Sequence, residues 1–163
     1  MSFLRRRPTI SQSEALAQLS RIVREHADRA DLTQVATAFD IELSTLSRQL
    51  AKLALFAVYF ALKFSRVRGW RKHAQELFIG VSEDVSQQFQ FGVLGFDEFQ
   101  VYGLSINTSG GDPGQVKSEI GKGFCLILGK YPSDNVDLVV VGHETFTAVG
   151  DSVVRMQKEF VLV

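Results

Sequence analysis

The chain has 163 residues, 45% of them hydrophobic and 22% charged, which supports a buried core and excludes a disordered or fibrous chain. Its formal net charge of zero conceals a division: residues 1–80 carry 13 Lys and Arg against 7 Asp and Glu, and residues 81–163 carry 5 against 11. Such asymmetry predicts either a basic part that faces a polyanion or two unevenly charged solvated surfaces.

Taken in chain order, the first residues contain Arg5, Arg6 and Arg7 with no apolar stretch behind them. They do not read as a secretory signal, so the expected location is cytoplasmic. Residues 11–30 are rich in helix formers, with Leu16, Leu19, Ile22 and Val23 at helical spacing and Ser11 or Ser13 as N-cap before Glu14. Residues 31–53 carry the helix-turn-helix pattern discussed below. The longest apolar run, 53–64, is bounded by Lys52 and interrupted by Lys63, and it is shorter than the roughly 20 residues a spanning helix needs. As a helix it is apolar nearly all round, which predicts burial in a core or a subunit interface. That helix is expected to continue toward Arg68 and to break at Gly69, with a short helix over 70–78. The cations Arg66, Arg68, Arg71 and Lys72 around Trp70 leave an interfacial membrane segment open as an alternative.

From about residue 85 the texture changes. Stretches 88–93, 99–106, 124–128, 136–141 and 153–163 are β-branched and aromatic, separated by Gly, Asp, Asn and Pro, and they predict five or six strands. Residues 115–120, after Pro113, predict one or two turns of helix. The expected fold is therefore α+β: an N-terminal helical helix-turn-helix part, residues 1–80, followed by a small, mostly antiparallel β domain, residues 81–163.

The chemistry of sites is sparse. His26, His73 and His143 have no metal-ligand spacing, and Cys125 is the only cysteine, so neither a zinc cluster nor an internal disulfide is expected. The glycine-rich stretch 109–114 lacks the Lys-Ser or Lys-Thr end of a phosphate-binding loop. No catalytic constellation, metal or cofactor is predicted.

The helix-turn-helix reading rests on two short helices whose apolar faces meet across a tight turn. Val35, Ala36 and Phe39 make one inward face, Ile41 anchors the turn, and Leu46, Leu50 and Leu53 make the other. The outward residues of the second helix are Ser44, Thr45, Ser47, Arg48, Gln49 and Lys52, all able to hydrogen-bond bases or phosphates. The matching residues Val35-Ala36, Phe39-Asp40-Ile41 and Thr45-Leu46-Ser47-Arg48-Gln49-Leu50 make this segment similar to the Fis-type helix-turn-helix of bacterial regulators. The resemblance covers residues 31–53 alone and departs at Asp40, where the family has Gly. It implies binding to duplex DNA. Outside the resemblance, Arg5, Arg6 and Arg7 read as a phosphate or minor-groove arm that would add to such binding.

The expected function is a non-enzymatic DNA-binding regulator whose C-terminal domain senses a small molecule, binds a protein partner or dimerises. A helical hairpin that only packs against another subunit is the alternative. The apolar run predicts a homodimer whose interface includes Phe56, Tyr59 or Phe60.

Overall fold

The computed structural model describes residues 6–91 and 96–163. The first helix, α1 (Gln12–Ala27), begins at a capping box. Ser11 N donates to the Glu14 carboxylate at 2.9 Å while Glu14 N donates to Ser11 Oγ at 3.3 Å, so two backbone donors without helical partners are satisfied together. After it, α2 (Leu32–Ala38) and α3 (Leu43–Lys63) enclose a turn in which Asp40 adopts φ 51°. Asp is one of the few residues that enter this left-handed region at modest cost. Ile41 N then donates to Ala36 O at 2.9 Å, which closes the turn.

α3 ends at Lys63, short of the expected continuation to 68, and a new short helix, α4 (Arg68–Lys72), follows. Trp70 of α4 is fully buried and its Nε1 donates to Phe160 O at 3.2 Å. Next comes α5 (Ala74–Phe89), so the helix expected over 70–78 is two helices that run well past it.

The C-terminal part departs from the α+β expectation altogether. It consists of α6 (Phe96–Thr108), α7 (Pro113–Ile127) and α8 (Val136–Glu159). The strands among the described residues are two pairs of residues, β1 (Thr9–Ile10) and β2 (Val161–Leu162), parallel with Thr9 opposite Val161. The fold is therefore essentially all-α, and no antiparallel β domain exists among the described residues of 81–163. Stretch 99–106 lies inside α6, 124–128 at the end of α7, 136–141 in the first turns of α8, and 153–163 in the last turns of α8 and β2. Stretch 88–93 covers the end of α5, and its last two positions lie outside the described residues. The turn or two of helix expected over 115–120 is the middle of the 15-residue α7.

Burial explains the reversal. The buried positions of α8 are Leu138, Val141, Gly142, Thr145, Phe146, Val149, Val153, Met156 and Gln157, which fall on one stripe with the spacing of three and four that a helix requires. β-branched residues disfavour a helix by only a few tenths of a kcal/mol each, whereas burying one Val or Phe contributes about 1.5–3 kcal/mol. Packing wins.

α3 is the axis of the molecule. Leu50, Ala51 and every residue from Leu53 to Val58 are buried on it, because α1 and α5, α8, and α6 with α7 all pack around it. One continuous apolar cluster runs from Ile10 and α1 through α3 to α7, α8 and Leu162. Residue 80, where the helical part was expected to end, falls inside α5, which packs on α1 and α3.

Candidate functional site

The outward residues of the helix-turn-helix are placed unevenly by the packing. Ser44 is exposed, and its hydroxyl donates to the Glu42 carboxylate. Thr45 is half-buried, and Ser47 donates to Ala27 O of α1 at 3.4 Å. Arg48 is half-buried with its Nε sealed from solvent and unbonded. Lys52 pairs with Glu98 of α6 at 2.6 Å, the two side chains being 14% and 15% exposed. Gln49 Nε2 reaches the same carboxylate at 3.5 Å. Burial pushes the Glu98 carboxyl up, but hydrogen bonds from Lys52, its own backbone and Gln49, with the Lys52 charge, outweigh it and leave the group below the ordinary value of 4.5. Four of the six expected groove-facing side chains, Ser44, Ser47, Gln49 and Lys52, are thus engaged within the chain.

The N-terminal arginines lie elsewhere. Arg6 is exposed, and Arg7 Nη1 donates to the carbonyls of Gln157 and Lys158 at 3.4 and 3.3 Å, on the last turn of α8, where acceptor carbonyls lack helical partners. Arg5 lies outside the described residues. Arg7 precedes α1, whereas the start of α3 is tied to the far end of α1 by the Ser47–Ala27 bond, and the two ends of a 16-residue helix lie about 24 Å apart. Exposed carboxylates at the turn end are Asp28, Asp40 and Glu42, and Asp31 pairs with Arg29.

Phe56, Tyr59 and Phe60 divide in the same way. Phe56 is buried against this chain's own Phe99, Tyr102 and Phe146, with ring centroids at 5.1, 5.2 and 6.2 Å. Tyr59 and Phe60 are half-buried and reach the surface at hollows beside α3.

A cleft of about 410 Å³ lies between the C-terminal half of α3 and α8. Ala57 and Ala61 of α3 and Gly150 and Val154 of α8 line it, and the short side chains of the alanines and the glycine leave room there. Phe60 and Phe146, with centroids 6.1 Å apart, form the aromatic wall. At one end two buried polar side chains meet: Ser65 Oγ donates to Gln157 Oε1 at 3.0 Å, and Gln157 Nε2 donates to Ala61 O at 3.3 Å. Arg66, Lys117 and Lys158 line the same cleft, against the single carboxylate of Asp151.

Sequence reasoning missed this cleft because it joins residues about 90 positions apart and because α8 was read as strands. The alternation of Ala57 and Ala61 with Phe60 and Phe64 in the apolar run was its one local signal. Among the described residues no group of His, Cys, Asp and Glu could hold a metal ion, and no helix is long and apolar enough to cross a membrane. No protein-family model, curated protein or solved structure matches the chain.

Proposed function

We propose that the protein is a non-catalytic binding protein for a small amphiphile, an apolar body ending in a carboxylate or phosphate, held in the cleft between α3 and α8. The observation that carries this reading is the pairing of an apolar, aromatic-walled cleft of about 410 Å³ with three cations and a buried Ser65–Gln157 pair. Small-molecule sites have this form, concave and mostly apolar with a few convergent polar groups, and span about 300–1,000 Å³. The apolar wall supplies affinity, and Arg66, Lys117 and Lys158 favour an anionic head over a neutral one.

The test is calorimetric titration with decanoate and decyl phosphate below their micellar concentrations, with 1-decanol as the neutral control. Saturable binding of at least one anion is expected, at least tenfold tighter than decanol, a preference of about 1.4 kcal/mol. Gly150 offers the blocking variant, since a Cβ there meets nothing within 4 Å. Gly150→Leu fills the cleft without a clash at the backbone and abolishes binding. Equal affinity for decanol, or an unaffected Gly150→Leu variant, would sink the proposal.

Duplex DNA binding through α3 is the second reading, favoured by the tight turn at Asp40 and by the exposed start of α3 at Ser44. It ranks second because Lys52 and Gln49 are engaged by Glu98 and because the exposed charges beside the turn are acidic. Its test is a low-salt titration with duplex DNA, in which Arg48→Ala costs about 1–3 kcal/mol at a specific site. The absence of any binding at low salt would remove it.

A further inference from the structure

The cations of the basic N-terminal half are concentrated at the end of α3 far from the helix-turn-helix. Residues 63–75 contain five cations, Lys63, Arg66, Arg68, Arg71 and Lys72, and no carboxylate. All five are exposed, and none forms an ion pair among the described residues. The nearest acid in sequence, Glu76, faces His73 at 3.2 Å. Lys63, Arg71 and Lys72 border a hollow of about 620 Å³ whose apolar wall is Tyr59, Phe78 and Ile79 and which no carboxylate lines. Two large apolar side chains stand exposed beside these cations: Ile79, 45% exposed, borders the same hollow, and Phe64, 61% exposed, has the Lys63 ammonium 5.8 Å from its ring centroid. The surface is rigidly mounted, because Trp70, in the middle of α4, is buried and bonded to Phe160 O.

The geometry points to this face as a docking surface for an anionic lipid bilayer. The five cations meet headgroup phosphates, and Phe64 and Ile79 enter the boundary between headgroups and acyl chains. Charge complementarity selects a polyanion, and the exposed Phe and Ile select a bilayer among polyanions, because a duplex phosphate backbone offers them no apolar phase. Arg66 and Phe64 also line the cleft, whereas Lys63, Arg68, Arg71, Lys72 and Ile79 do not, so the inference does not depend on the ligand of the cleft.

The test is co-sedimentation of the full chain with vesicles of phosphatidylcholine, or of phosphatidylcholine with 30% phosphatidylglycerol, at 0.1 M and 0.5 M salt. Binding to the anionic vesicles alone is expected, weakening as salt rises. Each surface cation contributes about a fivefold gain in such binding, so R68Q/R71Q/K72Q together lower it on the order of a hundredfold. Phe64→Ser weakens it severalfold while leaving the salt dependence unchanged. Both variants alter exposed side chains, and thermal unfolding checks that each remains folded; decanoate titration of the triple variant separates this face from the cleft. Equal binding to neutral vesicles, or a triple variant that binds like the wild type, would overturn the proposal. So would a short DNA duplex that binds this face more tightly than the anionic vesicles at the same salt, since that result assigns it to nucleic acid.

Discussion

The crossing of α7 on α8 makes a sharp prediction about Gly121. A Cβ built there lies 2.3 Å from Val139 O and 3.0 Å from Val139 Cγ1, whereas an ordinary carbon–oxygen contact is about 3.3–3.6 Å. The obstacle is backbone inside a 24-residue helix that also packs on α3 and α1, so no rotamer change relieves it. Gly142 interlocks the crossing from the other side, since a Cβ there would meet Phe124 at 2.8 Å. Gly121→Ala must therefore open the crossing by about 1 Å. Overpacking costs about 1–3 kcal/mol, and an obstacle that is backbone puts this case at the upper end, about 2–3 kcal/mol, of which the helix preference of Ala over Gly returns about 0.8–1 kcal/mol. The expected net loss is about 1–2 kcal/mol, equal to a fall in Tm of roughly 2–8 °C for a chain of this size. Gly150→Ala is the matched control: nothing meets its Cβ, so the helix preference acts alone and stabilises by about 0.5–1 kcal/mol. Urea denaturation of the two variants beside the wild type measures the contrast. If Gly121→Ala were as stable as the wild type while Gly150→Ala gained as expected, the close crossing of α7 and α8 would be refuted.

Further predictions concern polar groups in the core and at a helix start. Glu98 titrates below its unfolded value, so its contribution is fully present above about pH 4.5 and is lost as pH falls through the folded value. The urea midpoint of the wild type should then drop more between pH 7 and pH 3 than that of Glu98→Gln; parallel losses would show that the Lys52–Glu98 pair is not responsible. Tyr102 is fully buried with its hydroxyl unbonded, and burial pushes the phenol far up. Tyr102→Phe removes an unsatisfied group and should raise stability by about 1 kcal/mol, so a clear loss on denaturation would mean that the hydroxyl has a partner in solution. Ser11→Ala breaks the capping box and should cost about 1 kcal/mol; an unchanged midpoint would remove the cap from the account.

What the sequence determined by itself is local. The capping residues Ser11 and Glu14, the turn at Asp40 and the helical spacing of Leu46, Leu50 and Leu53 each involve neighbours within a turn or two of chain, and each is present in the fold. The burial demanded by an all-round apolar α3 was equally legible, because such a helix has no face to give to water. What covers it was not. Only the tertiary structure decided that α3 is enclosed by this chain's own α1, α5, α6, α7 and α8, and that Phe56 lies among Phe99, Tyr102 and Phe146. The same holds for Lys52 and Gln49, whose open side was taken by Glu98 from 46 and 49 residues further along. The strand readings failed because a short run such as Val139-Val140-Val141 has no period of its own. The helical spacing of Leu138, Val141, Thr145, Val149, Val153 and Met156 spans the whole of α8 and outweighs the β preference of single residues only when that full stripe is buried. The cleft and the cationic face were beyond local reading for the same reason: each is made where distant helices meet, and side chains acquire a common function there only after packing has brought them together.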